Sequence, residues 1–71
     1  MRLVCIGEPC PQPVINLARA VQRAAIGTEI VIVTDDPAAA IDIPAWARMR
    51  GHACELLDTS DARHTHRITV R

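Results

Sequence analysis

The sequence predicts an α+β fold, a two-layer α/β sandwich in which a four-stranded mixed sheet carries two helices on one face, in the order βαβαββ. Three observations predict it. Two segments carry apolar residues at helical spacing, and each is closed by a glycine. Short β-branched runs flank the first of them, the pattern of a βαβ unit. The last third of the chain holds two further apolar runs joined by a polar stretch, which reads as a hairpin. At 71 residues the chain is long enough for one small domain, residues 1–71, and not for two.

The elements follow in order. Residues 2–6, RLVCI, are short and apolar and end at Gly7, so they read as a strand. Over 11–25, PQPVINLARAVQRAA, the residues Val14, Leu17, Ala18, Val21 and Ala25 form one helical stripe. Asn16, Arg19 and Arg23 fall on the other side, and Gly27 is the stop. Residues 28–34, TEIVIVT, are β-branched and apolar and suit a central strand. Asp36 before Pro37 is a helix-start signal, and Asp42-Ile43-Pro44 repeats it. Proline kinks a continuous helix, so a short turn over 37–41 and a separate helix over 43–50 are expected. Asp35 and Asp36 then read as caps, as does Asp42, and Gly51 ends the helix. A third strand is expected at 52–57 and a fourth at 65–70, joined through TSDAR. The βαβ crossover should be right-handed.

Composition narrows the function. Phe and Tyr are absent, so Val, Ile, Leu and Ala must build the core, with Trp46 anchoring the second helix. A core this small cannot host a deep cofactor pocket, and no cofactor is expected. The eight basic residues are all Arg and are balanced by eight acidic ones. Zero net charge argues against nucleic acid as a partner, and the lack of stacking aromatics argues further against single strands. No apolar run approaches a membrane span, so no membrane insertion is expected, and the first apolar run is too short for a signal peptide. The expected location is the cytoplasm.

Chemistry concentrates at GEPCPQPV, residues 7–14, where Cys10 stands between prolines on a strand-to-helix connection. Pro11 drives Cys10 towards extended backbone, which suits a helix N-cap, and Pro11 itself suits the first helical position. Cysteine is a weaker cap than Ser, Asp or Asn by about 1 kcal/mol. A weak cap in a rigid frame suggests that the sulfur is displayed for chemistry. Pro11, Gln12 and Pro13 would form the helix N-terminus supporting a sulfur anion, with the Gln12 N–H the main donor and that of Val14 behind it. A helix end favours an anion by about 0.3–1 kcal/mol. From an ordinary thiol near ~8.5, a drop of about one unit makes a competent nucleophile without a histidine partner. The alternative is that Cys10 is a small packed residue. A βα connection between prolines favours the displayed thiol.

These residues resemble the TusA-type, SirA-like sulfur-carrier family. GEPCPQPV resembles its Gly-x-x-Cys-Pro-x-Pro signature, and DDP, DIP-x-W, GH and a closing ITVR follow at the family's spacings over nearly the whole chain. The resemblance implies a βαβαββ sandwich like the C-terminal domain of a translation initiation factor. It also implies a sulfurtransferase in which Cys10 takes sulfane sulfur as a persulfide and relays it. The implied partners are a sulfur-donor protein of desulfurase or rhodanese type and an acceptor protein, or a membrane sulfur transporter. Two departures adjoin the nucleophile. Val4 stands where many members carry Asp, and Glu8-Pro9 replaces an apolar-basic pair, with Glu8 placed to oppose thiolate formation. Such changes could mark a branch handling thiosulfate or selenium rather than the tRNA-thiolation relay.

Other residues carry weaker signals. Glu8, Asn16, Arg19 and Arg23 are candidates for partner docking, although a solvated face explains the arginines equally well. His52 with Cys54, and His64 with His66, alternate on strands but match no zinc spacing, so no metal is expected. Cys54 and Cys5 read as packed residues, Cys5 being also a conceivable resolving thiol. The competing function is a non-enzymatic redox-sensing or regulatory binding module.

Overall fold

A computed structural model describes residues 1–71. The elements are β1 (Arg2–Cys5), α1 (Gln12–Arg23), β2 (Glu29–Thr34), α2 (Pro37–Arg50), β3 (Ala53–Ser60) and β4 (Arg63–Thr69). The sheet order is β1-β2-β4-β3, with β1 parallel to β2 and the other pairs antiparallel. This is the expected four-stranded mixed sheet with two helices in βαβαββ order.

The core explains the order. In register, Ile30 faces Ile68 and Ile32 faces Leu3 and His66, so one face of the sheet presents an aliphatic ladder. Ile30, Ile32 and Ile68 are fully buried there against Leu17 of α1 and Ala39, Ile43 and Ala47 of α2. The buried positions of α1 are Pro13, Leu17 and Ala20, so its inner stripe is rotated from the expected one and Ala25 is exposed. Trp46 is half-buried against the core, its ring centroid 5.7 Å from that of His52, which fits its expected role as an anchor of α2.

Two further expectations fail, each for a tertiary reason. Helix α2 is one continuous helix, with Pro44 inside it and Asp36 as its cap. Pro44 costs about 3 kcal/mol in a helix interior. Burying Ile43 alone contributes about 1.5–3 kcal/mol. Ala39, Ile43 and Ala47 recur at four-residue spacing on both sides of the proline, and only an unbroken helix buries all three. Asp42 is therefore mid-helix and caps nothing. The hairpin is also longer than expected. Its strands run to Ser60 and from Arg63, leaving Asp61 and Ala62 as the turn, both at positive φ (51° and 62°). That is the backbone of a primed two-residue turn, whose twist matches the strands. The usual Asn-Gly signal is missing, so the local sequence does not announce it.

His66 sits in the buried face of β4 at 3 % exposure, and Nδ1 of both His64 and His66 is buried without a hydrogen-bond partner. Burial first, and neighbouring His64 second, push the His66 imidazole below its ordinary pKa. The unfolded chain then binds a proton that the folded chain refuses. Stability should hold above pH ~6.5 and decline as the pH falls below it. A urea midpoint series from pH 7.5 to 5 measures this, and His66→Gln should flatten the slope. An unchanged slope would mean that His66 charges freely in the fold.

Candidate functional site

The loop from β1 to α1 is held by the segment that follows β2, its parallel neighbour in the sheet. Gly7 adopts φ 76°, a conformation that favours glycine, and donates its N–H to both carboxylate oxygens of Asp35 at 3.0 Å. Asp36 accepts the Ala38 N–H at 3.1 Å and so caps α2. Its other oxygen accepts the Cys10 N–H at 2.5 Å. The Asp-Asp pair that follows β2 thus starts one helix and fixes the segment leading to the other.

Cys10 is half-buried, and its thiol points to α2. Sγ donates to Oδ2 of Asp42 at 2.7 Å. The resulting pKa shift is opposite in sign to the expectation. The Asp42 hydrogen bond leads, partial desolvation follows, and the negative charges of Asp42 and Asp36 add, so the thiol is pushed up to about 11. A carboxylate that accepts the S–H bond stabilises the neutral form, and both negative charges oppose the thiolate.

The α1 terminus does not take the expected role. Its N-cap is Pro11, with no side-chain cap bond, and its first two positions are Gln12 and Pro13. The Gln12 N–H donates to the Pro9 carbonyl at 3.0 Å, closing a turn before the helix starts. Pro11 and Pro13 have no N–H to offer, so none of the three named residues presents a free donor to the sulfur. The Cys10–Pro11 peptide is cis.

The docking candidates divide. Asn16 donates to Glu8 at 2.8 Å and to Cys5 Sγ at 3.7 Å, and accepts from the Gln12 amide at 2.9 Å. Glu8 and Asn16 are therefore engaged in bracing the loop. The charge of Glu8 is felt at Cys5, where it adds to burial in raising that thiol, and not at Cys10. Arg19 and Arg23 are exposed and line a depression of about 290 Å³ with Met1, Leu3, Asn16 and Ala20, between α1 and β1. Cys5 is buried and Cys54 half-buried, and burial raises both thiols.

A groove of about 260 Å³ adjoins the thiol, with Pro11 and Val14 on one wall and Ala45, Trp46 and Met49 on the other. Cys10 and Asp42 complete it. Asp42, Ala45, Trp46 and Met49 share one face because they are spaced i, i+3, i+4, i+7 on an unbroken helix. Reading α2 as two pieces hid that alignment. The residue missed from sequence is thus Asp42 as the partner of the thiol.

The comparisons agree with this fold. A family model described as Sulfurtransferase TusA matches residues 1–71. A putative sulfur carrier protein of Archaeoglobus fulgidus is 43 % identical over 47 residues, 66 % of this chain and 61 % of that relative's length. The crystal structure of a SirA-like protein from Desulfitobacterium hafniense superposes with a TM-score of 0.86 at 20 % identity, covering 96 % of this chain and 93 % of that one, which shows a shared fold. No helix is long and apolar enough to cross a membrane. With its full length matched by the family model and its architecture shared with a SirA-like protein, the chain belongs to the TusA sulfurtransferase family.

Proposed function

We propose that the protein is a sulfur carrier that accepts sulfane sulfur on Cys10 as a persulfide and passes it to an acceptor. The observation that carries this reading is a cysteine on a braced loop, its sulfur at the mouth of an apolar groove rather than in the core. The reaction class needs only thiol chemistry. The Cys10 sulfur attacks the terminal sulfur of a donor persulfide, a new S–S bond forms as the donor's breaks, and the donor thiol leaves. A desulfurase- or rhodanese-type donor would supply the sulfur, and an acceptor protein or a membrane sulfur transporter would take part in its onward path.

One observation favours the second reading, a regulatory module with a quiet cysteine. A thiol held near 11 is almost wholly protonated at neutral pH, and the thiolate is the nucleophile. The two readings separate in one experiment. The protein is incubated with a persulfide donor and its intact mass taken. A carrier gains one sulfur that a reductant removes, and Cys10→Ser gains none. Absence of the adduct with desulfurase and rhodanese donors alike would leave the regulatory module.

A further inference from the structure

The groove beside Cys10 is apolar on both walls, and its only charged lining residue is Asp42. Asp42 is also the partner of the thiol proton. Asp36 adds a second negative charge that acts on the same sulfur, and no basic group acts on it. On the groove wall α2 leaves Met49 78 % exposed, and Ile41 of the same helix is 72 % exposed. An apolar trough with uncompensated negative charge at its reactive end is complementary to an apolar segment carrying a cation.

We propose that this groove docks a partner segment that sets a lysine or arginine side chain against Asp42, and that this ion pair unlocks the Cys10 thiol. The inference rests on the sulfur-carrier reading and adds the chemistry of the partner. In the isolated protein the Asp42 carboxylate holds the proton on sulfur. A cation on that carboxylate takes over its lone pairs, cancels its charge and lies close enough to favour a thiolate. The proton then leaves to solvent and the thiolate attacks the donor persulfide. The balance is R–S–SH plus Cys10–SH giving R–SH plus Cys10–S–SH, with the donor thiolate regaining a proton. Sulfane sulfur moves between thiols, and nothing is oxidised or reduced overall. Asp42 thereby makes transfer conditional on docking and leaves the free carrier inert to passing electrophiles.

The test uses two thiol reagents of opposite charge on the full chain, with labelling of Cys10 read by peptide mass. 2-Aminoethyl methanethiosulfonate carries a cation and 2-sulfonatoethyl methanethiosulfonate an anion, and their rate ratio on free mercaptoethanol normalises each measurement. At low salt the cationic reagent should label wild-type Cys10 faster by at least about five-fold beyond that ratio, and the preference should fade as salt is added. In Asp42→Asn the preference should shrink towards that of mercaptoethanol, and neutral iodoacetamide at pH 7.5 should label Cys10 roughly ten-fold faster or more. Equal normalised rates in the wild type, or a preference unchanged in Asp42→Asn, would overturn the proposal. The wild-type salt series keeps the test decisive if the variant folds poorly. The same proteins incubated with a persulfide donor separate the two readings. A charge lock without any sulfur adduct removes the carrier, and an adduct without the lock removes the docking chemistry.

Discussion

Iodoacetamide is expected to label Cys10 of the free protein roughly two orders of magnitude more slowly at pH 7.5 than an ordinary exposed thiol. The cause is the Asp42 carboxylate 2.7 Å from Sγ, which holds the thiol up to about 11. Labelling should rise about ten-fold per pH unit through pH 8, 9 and 10, with no plateau in that range. A plateau with a midpoint below about pH 8.5 would show that the contact does not govern the thiol in solution. The same linkage fixes a sign for stability. A group whose folded pKa lies above its unfolded value stabilises the fold fully below the unfolded pKa. Its contribution is lost as the pH rises through the folded one. For Cys10 that window runs from about 8.5 up to about 11. Cys10→Ala should therefore lose less stability at pH 10.5 than at pH 7.

Asp36→Ala should produce the largest loss of stability of any surface substitution near the site. One carboxylate oxygen caps α2 through Ala38, and the other takes the Cys10 N–H. Loss of an N-cap costs about 1 kcal/mol. A hydrogen bond to a charged group contributes about 1.5–3 kcal/mol. Together they make about 2.5–4 kcal/mol out of the roughly 4–10 kcal/mol expected of a domain this size. The melting temperature should fall by at least about 10 °C. Amide exchange at Cys10 should accelerate, because its only acceptor has gone. Asp36→Asn keeps a capping side chain of similar quality and should recover about half of the loss. A melting point within ~2 °C of wild type in Asp36→Ala would mean that the loop is held by other contacts.

The expected fold and the found one coincide in element order because periodicity and terminators are local properties. Alternating Ile30, Ile32 and Thr34, and the glycines after each helix, specify strand and stop without reference to the rest of the chain. The cysteine was legible for the same reason, since prolines on both sides restrict the backbone wherever it sits. The environment of the sulfur was not. Pro44 is a local break signal, and the core overrode it by burying Ala39, Ile43 and Ala47 on one unbroken face. That unbroken face carries Asp42 to the thiol from 32 residues away. The Gln12 N–H, read as support for a sulfur anion, is consumed by Pro9 in a turn that no capping rule anticipates.

The sequence by itself determined the βαβαββ order, the family and the position of the candidate nucleophile, because each is written in short-range pattern and residue chemistry. Only the tertiary structure decided the protonation of that nucleophile. Electrostatic environment depends on distance in space, and the carboxylate that sets it is brought to the sulfur by core packing, which no local spacing encodes.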